Sequence, residues 1–128
     1  MAENKHRKEL IDGIFKQFEM LFENSQQAVY IFMDDTYKVC NKKFSSLLGY
    51  KSPDEWAKVN KNVPSVFVAD KSVKTLINAY RNAMEKMIGS NFNVTWKKKS
   101  GGTVDTNVIL VPIVYQEHLF ALHFVSKK

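Results

Sequence analysis

Cysteine is almost missing from this 128-residue chain, Cys40 being the single example. One thiol cannot close an internal disulfide, which excludes the disulfide-stapled secreted scaffolds. Proline is scarce as well, confined to positions 53, 64 and 112. No long apolar run exists: "VILVPIVY" at 108–115 is the longest, it contains Pro112, and a membrane helix needs roughly 20 residues. The opening "MAENKHRKEL" lacks the apolar core of a signal peptide. Internal repeats and low-complexity tracts are absent too. No membrane span is expected, export has no support, and the expected location is the cytoplasm.

What is present is material for a packed core. The chain is 45% hydrophobic and 25% charged, and nine Phe, five Tyr and two Trp supply bulk. That is the composition of one globular domain rather than of a disordered segment. The net charge of +6 raises the question of phosphate binding. The lysines are scattered, however, and their densest group, "WKKKSGG" at 96–102, runs into a turn signal, so it reads as a solvated hairpin tip. Nucleic acid is not an expected partner.

Periodicity gives the elements. In "KELIDGIFKQFEMLFEN", residues 8–24, Ile11, Phe15, Phe18 and Phe22 recur at helical spacing, with Leu10, Ile14 and Leu21 widening the stripe. Gly13 weakens this helix by about 1 kcal/mol relative to alanine, so packing must sustain it. "AVYIFM" at 28–33 and "YKVC" at 37–40 read as a hairpin around Asp34-Asp35-Thr36, where paired carboxylates are first of all turn residues. Asn41 is placed to cap a short helix closed by Gly49, and Ser52 with Pro53 to open another. Residues 59–69 look irregular, with Pro64 barring a long helix. A long amphipathic helix follows at 70–89, capped by Asp70 or Ser72 and stopped by Gly89. Strands at 92–97, 103–115 and 119–126 complete the chain. The last is apolar on both faces and so must be covered on both, with the N-terminal helix the candidate for the back of the sheet. The order predicts an α+β domain with a five-stranded antiparallel sheet, flanking helices and an N-terminal amphipathic helix.

Three phrases in register resemble the PAS (Per-Arnt-Sim) family over residues 19–126: "EMLFENSQQAVYIFMDD", "VCNKKFSSLLGYKSPDEW" and "KSGGTVDTNVILVPI". The division that follows is a cap or dimerisation helix at 1–18 and a PAS domain at 19–128. The resemblance implies a PAS-like sensor or interaction module whose curved sheet and helices enclose a pocket, with signals passed through dimer contacts. Flavin members that form a cysteine adduct carry "N-C-R-F-L-Q", which falls here on "NVPSVF" at 62–67 with Val63 at the thiol position. The strand positions that usually hold flavin amides fall on Trp96, Thr106 and Phe124, of which two cannot make those bonds. The haem branch uses a histidine on or near the long helix, where this chain has none. Flavin and haem are both disfavoured, and any cofactor is unknown. His6, His118 and His123 are too scattered for a metal site and read as surface or packing residues.

The same alignment sets Val94, Trp96, Thr106, Val108, Leu110, Phe120, Leu122 and Phe124 on the concave face. Tyr30 or Phe32, Phe44, Leu48, Phe67, Leu76 and Tyr80 stand opposite. Two readings compete, a core filled by these rings and a small apolar cavity with Thr106, Tyr30 or Tyr80 as a polar handle. The pocket candidates are Tyr30, Phe32, Phe44, Leu48, Phe67, Tyr80, Trp96, Thr106 and Phe124; the dimer candidates are Ile11, Ile14, Phe15 and Phe18. The expected function is a sensory module, not an enzyme, that binds a small ligand or a signalling protein such as a kinase or regulator and forms a homodimer. The alternatives are a ligand-free protein-interaction domain and a cone-shaped α+β enzyme. The enzyme would need a convergent acid–base set, which Asp105, Glu117 and the histidines do not obviously provide.

Overall fold

The structure, a computed structural model, describes residues 2–60 and 62–128. Residues 1 and 61, which fall in the 1–18 cap segment and the 59–69 stretch, lie outside the described residues. The expected single helix at 8–24 is two: α1 (Ala2–Gln17) and α2 (Glu19–Asn24). They break at Phe18, whose N–H is shared between the carbonyls of Ile14 at 3.1 Å and Phe15 at 3.2 Å. Such a tightened last turn ends a helix where packing asks for a bend. Leu10, Ile11 and Ile14 of α1 and Phe22 of α2 are all buried in one cluster with Val29, Ile31, Phe120 and Leu122. Gly13 is explained by the same packing, since a Cβ there would collide with the Tyr115 hydroxyl.

β1 (Ala28–Phe32) and β2 (Lys38–Cys40) form the first hairpin. Asp34 shapes its turn, accepting through Oδ1 from the N–H groups of Thr36 and Tyr37 at 2.9 and 2.8 Å while Oδ2 pairs with Arg7. Asn41 then does three things at once. Its Oδ1 accepts from the N–H of Phe44 and of Val29, each at 3.0 Å, and its Nδ2 donates to the Gln27 carbonyl at 3.0 Å. The cap of α3 (Lys42–Leu47) is therefore also its anchor to β1. Gly49 closes this turn at φ +83°. Ser52 caps α4 (Pro53–Ala57) through a 3.1 Å bond from Glu55 N–H.

Three local expectations are corrected. The stretch expected to be irregular contains α5 (Val63–Phe67), because Pro64 sits in the first turn, where a missing N–H costs nothing. Neither Asp70 nor Ser72 caps α6 (Asp70–Lys86), which starts after Ala69. The Ser72 hydroxyl instead accepts from Thr95 N–H at 2.9 Å and ties the helix to the sheet. The helix ends at Met87, left-handed at φ 56°, rather than at Gly89. Gly89 lies where an added Cβ would sit 3.1 Å from the Leu110 carbonyl oxygen.

β3 (Ser90–Lys97), β4 (Thr103–Tyr115) and β5 (His118–Lys127) complete an antiparallel sheet of order β2-β1-β5-β4-β3. Its outer face carries α1 and α2; its inner face carries α3 to α6. One expectation about β5 is reversed. Phe120, Leu122 and Phe124 were expected on the concave face, yet they pack outward in the cluster of the N-terminal helices. Ala121, His123 and Val125 are the inward set, opposite Phe32, Tyr30 and Ala28. The reason is volume: Tyr30, Phe44, Trp56 and Trp96 already crowd the inner side, leaving room there only for small or flat residues. The period of a strand is two, so a shift of one moves every side chain across the sheet.

Candidate functional site

The interior is built around Tyr30, in the middle of β1. Its ring stacks on His123 at 3.8 Å, nearly parallel at 6°, and on Phe44 at 4.6 Å. Trp56 and Trp96 meet it edge-on at 5.7 and 5.8 Å. Aromatic pairs of this kind each contribute about 0.5–1.5 kcal/mol beyond area burial, so this half of the core is rigid and closed. Trp96 Nε1 donates to Thr106 Oγ1 at 2.8 Å, and Thr106 in turn donates to the Val94 carbonyl at 2.8 Å. Both polar groups are thereby used up inside the protein. Phe44, Leu48, Phe67, Trp96 and Thr106 thus belong to packed core, and Phe124 to the other face of the sheet.

Space remains on the other side of Tyr30. A cavity of about 200 Å³ lies between the sheet and α5–α6, walled by Tyr30, Phe32, Leu76, Tyr80 and His123. Its rim is formed by Ile77 and by Asp35, Asn62, Val63 and Pro64. Of the pocket candidates, Tyr30, Phe32 and Tyr80 reach this cavity. His123 and Asp35 reach it too, though the sequence reading placed neither in a pocket. The hairpin "YQEH" holds the signal for His123. A two-residue turn pairs Tyr115 with His118, and stepping along the ladder then sets His123 beside the inward Leu110. Gln116 and Glu117 lack the Asn-Gly pattern that announces such a turn, although both adopt positive φ, 47° and 67°.

Burial sets the electrostatics. The His123 imidazole is pushed down to about 3, chiefly by desolvation, and is neutral at pH 7. Its Nδ1 lies 3.1 Å from the Ala121 carbonyl, the arrangement of an N–H donating to that oxygen. Burial raises the Tyr30 and Tyr80 hydroxyls above their ordinary range. Tyr80 reaches the Met33 carbonyl at 3.4 Å.

A buried lysine, missed in the sequence, braces the rim. Lys38 is 2% exposed and its ammonium donates to the carbonyls of Asp35, Val59 and Ala57 at 2.5, 2.6 and 3.2 Å. It lies 5.3 Å from the Trp56 ring. Desolvation lowers it to about 8, opposed by the charges of Asp35 and Asp34. Asp35 Oδ1 also accepts from Val63 N–H at 3.0 Å, so the hairpin turn holds both the end of α4 and the start of α5.

Cys40 lies away from this cavity, beside an open groove of about 850 Å³ between the N-terminal helices and α3–α4. Burial pushes its thiol far up, which removes thiolate reactivity at neutral pH. The acid–base candidates are dispersed: Asp105 accepts from the Thr95 hydroxyl at 2.6 Å, Glu117 sits in the β4–β5 turn, and the His118 ring contacts that of His6 at 5.3 Å.

A family model described as "PAS domain" matches residues 16–79, half of the chain. The chain belongs to the PAS family. Solved PAS structures share its fold. One from a two-component sensor histidine kinase is 19% identical and covers 91% of this chain and 98% of its own, with a TM-score of 0.67. The PAS domain of an HTR-like protein from Haloarcula marismortui is 19% identical, covering 97% and 99% with a TM-score of 0.63. That of a Colwellia psychrerythraea protein is 18% identical, covering 90% and 97% with a TM-score of 0.69. No curated protein matches the sequence. As a PAS domain the chain falls in a family of sensory and signalling modules. No helix among the described residues is long and apolar enough to cross a membrane.

Proposed function

We propose that this PAS domain is a cytoplasmic sensory module, not an enzyme, that binds a small molecule in the cavity between the sheet and α5–α6. The observation that carries the reading is the cavity itself, about 200 Å³ left open beside a core that is otherwise filled with aromatic rings. An apolar cavity of roughly 150 Å³ is enough for benzene, so this one suits a molecule of about one ring. A tricyclic flavin or a haem does not fit that volume, and Trp96 and Thr106 are bonded to each other rather than open to a cofactor. Bound ligand stabilises the fold by about 2.7 kcal/mol at a hundred times its dissociation constant. A thermal-shift screen of small aromatic and aliphatic compounds should therefore return hits. A screen in which no compound raises Tm would contradict the reading.

Output is proposed to pass through self-association and contact with a signalling protein such as a kinase or regulator. Ile11 and Ile14 are taken up by the domain's own sheet. The surface that supports the dimer reading is therefore the half-buried Phe15, which lines the open groove, with the half-buried Phe18 and with Met20, 75% exposed. Light scattering across a concentration series tests it: Met20→Lys should shift the protein toward monomer, and a monomer at every concentration would refute it.

A further inference from the structure

Of the three hydroxyls expected as a polar handle, those of Thr106, Tyr30 and Tyr80, the structure separates each from the others. Thr106 is tied between Trp96 and the Val94 carbonyl. Tyr80 reaches the Met33 carbonyl at 3.4 Å. Tyr30 is 2% exposed and lines the cavity, yet its hydroxyl has no hydrogen bond to any described residue. With no partner among the described residues and no complete seal from solvent, this hydroxyl opens to the cavity, where a ligand atom can replace water as its partner. A phenol donates readily, which makes that ligand atom an acceptor.

The rest of the wall restricts the ligand further. Phe32, Leu76 and the rings of Tyr80 and His123 present carbon surface to the cavity. The desolvation that keeps His123 neutral and disfavours ionised Tyr30 acts equally on a guest, so a formal charge there is costly. Resting on the reading that the cavity takes a small molecule, we propose that its ligand is a neutral compound of about one ring carrying a single oxygen acceptor, held by a hydrogen bond from the Tyr30 hydroxyl.

The test compares two probes of nearly the same shape, acetophenone and α-methylstyrene, in which a ketone oxygen is replaced by a methylene. Each is titrated by NMR into the wild-type domain and into Tyr30→Phe, which keeps the ring and its stack on His123 and removes only the hydroxyl. A net hydrogen bond corresponds to roughly a five- to tenfold preference. The wild type should favour the ketone over the alkene by that factor more than Tyr30→Phe does, while the alkene binds both proteins alike. Using the ratio of ratios removes differences in hydrophobicity between the probes. Binding of both probes with a ratio of ratios near one would overturn the hydroxyl's role and leave the cavity reading standing. No resonance change from either probe at the cavity residues would overturn both.

Discussion

Acid should destabilise this domain through His123 in a window where its carboxylates are still largely ionised. In the unfolded chain this imidazole titrates near 6.5; in the fold, burial lowers it to about 3. Below pH 6.5 the unfolded state binds a proton that the folded state refuses, so stability is full above that value and falls as pH drops toward 3. The slope approaches about 1.4 kcal/mol per pH unit. Between pH 7 and pH 5 the loss is about 2 kcal/mol, a large share of the 5–15 kcal/mol typical of a domain. Urea unfolding of wild type and His123→Leu at both pH values isolates the effect, because every other group titrates in both proteins. The wild type should lose about 2 kcal/mol more than the variant over that interval. Equal losses, or an NMR titration of the His123 ring with a midpoint above pH 6, would refute the buried neutral imidazole.

Three further outcomes are expected. Gly13→Ala, which on propensity alone would stabilise α1 by about 1 kcal/mol, should gain less than that in thermal or urea melts, because the new methyl meets the Tyr115 hydroxyl and that side chain must swing aside. Replacing Gln116-Glu117 by Asn-Gly should raise stability by about 1 kcal/mol in the same assay, since both residues sit at positive φ, where side chains other than those of Asn and Gly are strained. For Lys38, lowered to about 8, the unfolded chain holds its proton up to about 10.5. Wild-type stability should therefore gain on that of Lys38→Met as pH rises from 8 to 10.5, and parallel pH profiles would refute the net desolvation of the ammonium.

The features legible in the sequence were the local ones. Asn41, Ser52 and Gly49 specify helix ends through atoms two or three residues away, and each performs that role in the structure. The five-stranded antiparallel sheet and the covering of its outer face by the N-terminal helix also followed, the latter because a strand apolar on both sides must be buried on both. What escaped depends on distant partners. Phe18 breaks its helix to suit a sheet formed by later residues, and Ser72 is recruited away from capping by Thr95. Nothing in the sequence singles out Lys38, because its three carbonyl partners lie in turns and helix ends that no periodicity reveals. The inward face of β5 was hidden because Phe120, Leu122 and Phe124 outweigh Ala121, His123 and Val125 in hydrophobicity. Only the crowding around Tyr30 decides which set turns inward.

Native mass spectrometry bears most directly on the cavity as a ligand site. The domain is incubated with a small-molecule extract of its source cells, beside Ile77→Trp. Ile77 stands on the rim and is 37% exposed, so enlarging it closes the mouth without disturbing the core. The expected result is a non-covalent adduct on the wild type, of the mass of a small neutral molecule, that is lost or strongly reduced in the variant. Bare chains in both samples, or an adduct retained equally by both, would contradict the assignment of this cavity as the sensory site.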